Sequence, residues 1–156
     1  MADNQNFSKD ITDSVSRIKN KLKLLMLINK AKAEFNKNNY SGCEAVCNEI
    51  LNKDPKNITA LRGLGCAKLA ADDKVGAIDY FKKALENSDN KEIEYSLIGT
   101  VYYINNEFED AIEYFNKAID LNNDFDYAYD GKNQSMLESH LQIADLQEML
   151  INNEKS

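Results

Sequence analysis

Proline occurs once in the 156 residues, at Pro55, and glycine only six times. So little turn-forming material argues against an all-β chain of short strands and favours helix before any periodicity is read. Tryptophan is absent, and three cysteines, Cys43, Cys47 and Cys66, are too few for a disulfide scaffold. No purely apolar run exceeds Leu24 to Ile28, far short of a membrane span, and the opening MADNQNFSKD lacks the charged-then-apolar order of a secretory signal. The expectation is a cytoplasmic protein with no membrane insertion. Asn-x-Ser/Thr triplets beginning at Asn6, Asn39, Asn57 and Asn133 then follow from an asparagine-rich composition rather than from glycosylation.

Basic charge is scarce over most of the chain. Residues 9–37 carry eight Lys/Arg against three Asp/Glu, whereas residues 38–156 carry eleven against twenty-two, within a net charge of −7. An acidic body disfavours nucleic acid, whose phosphates need a basic face, so no nucleic-acid partner is expected. The machinery of catalysis is missing as well: there is no Ser/His/Asp set, no phosphate-cradling glycine loop and no His-Glu-x-x-His. Glu107 and Glu109 fall at a helix start, where they favour the dipole. Cys43 and Cys47 lie one helical turn apart, but only Cys66 and the single His140 remain to complete a metal site, so the pair reads as small core residues. His140 reads as a boundary residue of a terminal helix. No enzyme, cofactor or metal is expected.

What is present is a repeat. Sliding the chain by 34 residues superposes Gly65 on Gly99, Ala77 on Ala111, Ile78 on Ile112, Tyr80 on Tyr114, Phe81 on Phe115, Lys83 on Lys117 and Ala84 on Ala118. A more divergent copy precedes these, with Ala31 in the glycine place, Tyr40 in line with Phe108, and Cys43, Cys47 and Ile50 at the small, aromatic and small places. The repeats span 24–57, 58–91 and 92–125, and Pro55 closes the first. Each reads as two helices, LRGLGCAKLAA and VGAIDYFKKALEN in the second, YSLIGTVYYIN and EDAIEYFNKAID in the third. Gly65 with Ala77, and Gly99 with Ala111, mark expected close crossings, where a larger side chain would push helix axes beyond about 8–10 Å. Tyr80, Tyr95, Tyr114 and Tyr129 recur in frame and read as inter-helix packing rather than base stacking.

At these residues the chain resembles the tetratricopeptide repeat family, over about two-thirds of its length. The resemblance rests on Leu61 or Tyr95, Gly65 or Gly99, Ala77 or Ala111, Phe81 or Phe115, and Ala84 or Ala118. It implies an all-α, right-handed superhelical solenoid of antiparallel helix pairs, with an amino-terminal helix in 1–23 and a capping helix and short tail in 126–156. Met136, Leu137, Leu141, Ala144 and Leu146 are the expected packing side of the cap, with Glu138, Gln142, Asp145 and Gln147 toward water and a kink or a split expected at Gly131.

In that family the first helix of each repeat lines a concave groove, so the resemblance implies a non-catalytic module that binds a protein or peptide there. Residue by residue this gives Asn29, Lys32, Phe35 and Asn36; Arg62, Cys66, Leu69 and Ala70; Ser96, Leu97, Thr100, Tyr103 and Ile104; and Tyr127, Asp130 and Gln134. Some family members grip acidic tails of heat-shock chaperones with a clamp of lysines, asparagines and an arginine. Those five places here hold Ile28, Lys32, Gly63, Ile93 and Leu97, so carboxylate-clamp binding is not expected. Two alternatives follow from the flanks. The architecture resembles secretion chaperones that hold a hydrophobic client. Separately, Ile11, Val15, Ile18, Leu22 and Leu25, spaced by four and three, form a coiled-coil-like seam for a weak homodimer or a self-assembling scaffold.

Overall fold

The computed structural model describes residues 2–154, and the side chains of 9–149. Met1, Lys155 and Ser156, which include the end of the expected tail, lie outside the described residues. Among the described residues seven helices follow in order: α1 (Ala2–Asn36), α2 (Tyr40–Leu51), α3 (Ile58–Ala70), α4 (Lys74–Asn87), α5 (Lys91–Ile104), α6 (Phe108–Leu121) and α7 (Asp126–Glu154). Among the described residues there is no strand. The chain divides between Ala67 and Lys68 into two compact units.

The sequence explains why each pair of helices turns where it does. Asn38, Asp72 and Asn106 all have a left-handed backbone, with φ of 59°, 61° and 59°, and they stand 34 residues apart. Asn and Asp tolerate that conformation better than other side-chain-bearing residues. Around each of them the carbonyls at the end of the preceding helix are closed in the same way. The amides of Asn38, Asp72 and Asn106 donate to Phe35, Leu69 and Tyr103; those of Asn39, Asp73 and Glu107 donate to Glu34, Lys68 and Tyr102. The next helix starts at once. Asn39 Oδ1 accepts from the Gly42 amide at 3.1 Å and Asp73 Oδ1 from the Gly76 amide at 2.8 Å, caps that each contribute about 1 kcal/mol. Glu107 makes no such cap and instead pairs with Lys74, which also sits 4.8 Å from the centre of the Tyr102 ring.

In the first unit α1 packs on α2, and Ala31, Cys43, Val46, Cys47, Ile50, Ala60, Leu61 and Leu64 form the interior. The boundary expected between residues 23 and 24 falls inside one uninterrupted helix, so the amino-terminal segment runs straight into the first repeat.

In the second unit α4 packs on α5, α5 on α6, and α7 on both α5 and α6. One cluster of its core is Ala111, Phe115, Ala118 and Ala128, with Tyr95, Tyr102, Tyr103, Ile119 and Phe125 around it. Tyr114 stacks on Tyr102 at 5.3 Å and tilts against Tyr95 at 6.3 Å, as the packing reading expects, whereas Tyr129 is exposed. The recurrence of lysine three residues after tyrosine also has a cause: Lys83 lies over Tyr80 and Lys117 over Tyr114, each within 5 Å of the ring centre.

The terminal helix reverses one expectation. Met136, Leu137, Leu141 and Leu146 are 40–59% exposed and Ala144 is exposed too, while Ala128, Ser135 and Ser139 are buried. The packing side is made of small residues because the body beneath it already supplies the bulk. A Cβ on Gly131 would collide with the Phe115 ring, so only glycine lets α7 approach there. The two serines carry their hydroxyls inside without loss, Ser135 donating to the Gly131 carbonyl and Ser139 to Glu109, both at 2.7 Å. The bond from Ser139 holds the Glu109 carboxyl below its usual range. Gly131 does not split the helix.

Candidate functional site

Cys47 stands 34 and 68 residues before Phe81 and Phe115, in the aromatic place of its repeat. In the second unit the Phe115 ring fills the space between Gly99 and Gly131, where built Cβ atoms would lie 3.1–3.2 Å from the ring at Gly99 and in collision with it at Gly131. The corresponding neighbours of Cys47, sixteen residues before and after it, are Ala31 and Gly63. A thiol is much smaller than a phenyl ring, and the first unit holds a cavity of about 280 Å³ lined by Ala31, Cys43, Cys47, Ile50 and Gly63.

The cavity opens beside Ile28, Lys32, Phe35, Asn36, Arg62 and Cys66. Five of the six residues expected on the recognition surface of this unit are thereby brought together; Asn29, exposed on α1, is the one outside. The walls are overwhelmingly apolar, and two cationic side chains, Lys32 and Arg62, line the same space. Its size sits just under the lower edge of small-molecule pockets, about 300–1,000 Å³, and suits one or two side chains. Phe35 is held edge-on against Tyr40, ring centres 5.4 Å apart.

All three thiols are free, and Cys43 and Cys47 are buried with their sulfurs 3.9 Å apart. Burial raises all three thiols, that of Cys47 to about 12, with its neighbour Cys43 adding to the effect. They remain protonated and poor nucleophiles at neutral pH. Among the described residues no group of His, Cys, Asp or Glu is arranged to hold a metal ion.

In the second unit Leu69 is half-buried and Ala70 exposed at the end of α3, and Leu97, Thr100 and Tyr103 are half-buried on α5. Ile104 and Tyr127 are more than half exposed; Asp130 and Gln134 face solvent. Thr100 Oγ1 donates to the Ser96 carbonyl, so the Tyr127 hydroxyl, 2.9 Å away, donates to Thr100 and ties α7 to α5. Tyr103 leans on Phe108 at 5.8 Å.

Ser96 departs from expectation. It is 1% exposed, so it is an interior residue and not part of a recognition surface. Its hydroxyl oxygen has no hydrogen-bond partner among the described residues. Ser96→Ala is therefore expected to raise the unfolding free energy by about 1 kcal/mol, since it removes a desolvated, unpaired polar group at little cost in volume. Urea denaturation checks this, and a loss of stability would mean that the hydroxyl is paired in solution.

Residues 93–125 match the tetratricopeptide repeat family. The chain has the tetratricopeptide repeat fold. Among solved structures of the fold, the first tetratricopeptide domain of human RPAP3 superposes with a TM-score of 0.69 at 15% identity, covering 78% of this chain and 95% of that one. The Sgt2 domain from Aspergillus fumigatus gives 0.67 at 17%, covering 76% and 80%. The first such domain of Spaghetti (RPAP3), bound to the HSP90 peptide SRMEEVD, gives 0.64 at 16%, covering 73% and 90%. At these identities the likeness concerns the fold. Within this tetratricopeptide frame, the cavity and its floor of Cys43, Cys47, Ile50 and Gly63 lay beyond what the recognition-face positions indicated. The signal for it was the cysteine at an aromatic place.

Among the described residues no helix is long and apolar enough to cross a membrane.

Proposed function

We propose that the protein is a non-catalytic adaptor that holds a peptide segment on the first helices of its repeats, with the cavity under Lys32 and Arg62 taking one apolar side chain as anchor. The observation that carries this reading is the missing aromatic: a space of about 280 Å³, apolar within and with cationic side chains beside it, left where the frame elsewhere places phenylalanine. An aromatic or branched aliphatic side chain entering it would recover the burial that Cys47 forgoes, and an adjacent carboxylate would meet Lys32. Leu69, Ala70, Leu97, Thr100, Tyr103, Ile104, Tyr127, Asp130 and Gln134 are the proposed contacts of the second unit.

Spaghetti holds an acidic heat-shock peptide, but the corresponding clamp places here are Ile28, Lys32, Gly63, Ile93 and Leu97. Ile28 and Gly63 line the cavity and bring no charge, so the reading is a single-anchor peptide rather than a tail gripped by paired carboxylates.

Selection from a displayed peptide library tests this. The expected product is a shared motif with one large apolar residue beside Asp or Glu, bound at roughly micromolar affinity, about −8 kcal/mol. Cys47→Phe, which restores the ring and fills the cavity, should weaken binding at least tenfold while the protein stays folded. Lys32→Glu should shift the motif away from acidic neighbours. A folded Cys47→Phe variant that binds the selected peptides as well as the parent does would overturn the reading.

A further inference from the structure

The cavity of the first unit is large for a single ring. Its volume is about 280 Å³, whereas an apolar cavity of about 150 Å³ is enough to take up one benzene molecule. A leucine or phenylalanine anchor would leave part of the space unfilled, and the walls facing the gap would lose their contacts. A fused pair of rings fills it better.

The chemistry of the lining selects in the same direction. Cys43 and Cys47, their sulfurs 3.9 Å apart, and Cys66 bring three free thiols to one space. Sulfur is polarizable and makes favourable contacts with aromatic rings beyond those it offers an aliphatic chain. Lys32 on α1 and Arg62 on α3 line the same cavity, and a cation is attracted to the face of indole more than to that of phenol or benzene. Asn36 and Thr59 also belong to the lining and are exposed, so they bring neutral oxygens to the mouth. An indole N–H entering an apolar site needs such an acceptor, because a buried donor left without one is costly. Leucine would use none of these groups, and phenylalanine only the thiols and the cations.

Building on the reading of this cavity as the anchor site for a peptide, we propose that the side chain it takes is tryptophan, supplied by a different protein. The source follows from composition. The chain contains no tryptophan, so a second copy cannot provide the anchor. The indole rests on the buried thiols of the floor, beside Lys32 and Arg62, and its N–H donates to Asn36 or Thr59 at the mouth.

The absence of tryptophan also makes the test clean, because indole fluorescence then reports the ligand alone. The full chain is titrated into N-acetyltryptophanamide, whose emission should move to the blue and saturate. In competition, N-acetylphenylalaninamide and N-acetylleucinamide should each bind at least about tenfold more weakly, as the loss of part of a fitted apolar group implies. Cys47→Phe, and independently Cys66→Phe from a half-buried position on α3, should abolish the blue shift. Among displayed peptides the shared apolar residue should be tryptophan, and replacing it by leucine should weaken a selected peptide by the same factor. If the leucine and phenylalanine forms bind as well as the tryptophan form, and the two cavity variants weaken all three, the proposal fails while the cavity remains an anchor site. If peptides bind but neither variant weakens them, or if none binds, the anchor reading fails and the proposal with it. Free indole that binds as tightly as the selected peptides would overturn the protein source and assign the cavity to a small aromatic molecule.

Discussion

Replacing Phe115 by alanine is expected to lower the unfolding free energy by about 3–5 kcal/mol, the cost of emptying a well-packed aromatic site. The ring is 2% exposed and wedged between two glycines, in a cluster whose other buried members, Ala111, Ala118 and Ala128, are too small to fill the space it would leave. The same wedge makes a sharper test possible. In the parent, Gly131→Ala should destabilise by about 1–3 kcal/mol, because the new methyl meets the ring and α7 has to shift. In the Phe115→Ala background that collision is gone, and the gain in helix propensity should make the same substitution stabilising by about 1 kcal/mol. Urea denaturation followed by tyrosine fluorescence measures the four variants of the cycle. Additive effects would mean that the ring and the glycine do not meet in solution.

Alkali should reveal the second large effect. Burial pushes the Cys47 thiol up to about 12, so in the folded protein it stays protonated where the unfolded chain ionises. The folded state then holds the extra proton between about pH 9 and 12, and by linkage the stabilising contribution is whole below about pH 9 and disappears as pH rises toward 12. Tyrosine and lysine titrate in the same range, so the measured quantity is the difference between the parent and Cys47→Ala. The variant should be less stable at neutral pH, because a buried thiol is lost, yet it should fall less steeply above pH 9. Parallel curves would show that the thiol is hydrated in the folded state.

The helices were largely legible because the 34-residue frame, the breaks at Asp72–Lys74 and Asn106–Phe108, and the small residues at 77, 84, 111 and 118 are all local signals. The left-handed Asn38, Asp72 and Asn106 recur in the same frame and were open to reading, since a polar, αL-tolerant residue stands at each turn. The inner face of α7 was not legible. Leucines ordinarily mark the buried side of a helix, and only the position of Phe115 on α6 explains why glycine and serine are buried and the leucines are left outside. The candidate site was half legible. Lys32, Phe35, Asn36, Arg62 and Cys66 could be placed on a face by repeat position, but the cavity that Cys47 helps to line depends on how α1, α2 and α3 pack around it. Ser96 belongs to the same class of error, because repeat position set it on the face and burial depends on its surroundings.

The three left-handed turns bear on how this chain can be cut and rejoined. Because Asn38, Asp72 and Asn106 share one backbone conformation and one pattern of closing hydrogen bonds, a segment exchanged between any two of them begins and ends on matching geometry. Chimeras and length variants spliced at these positions inherit a finished junction, and the chain can be lengthened or shortened by whole periods without the invention of a new loop.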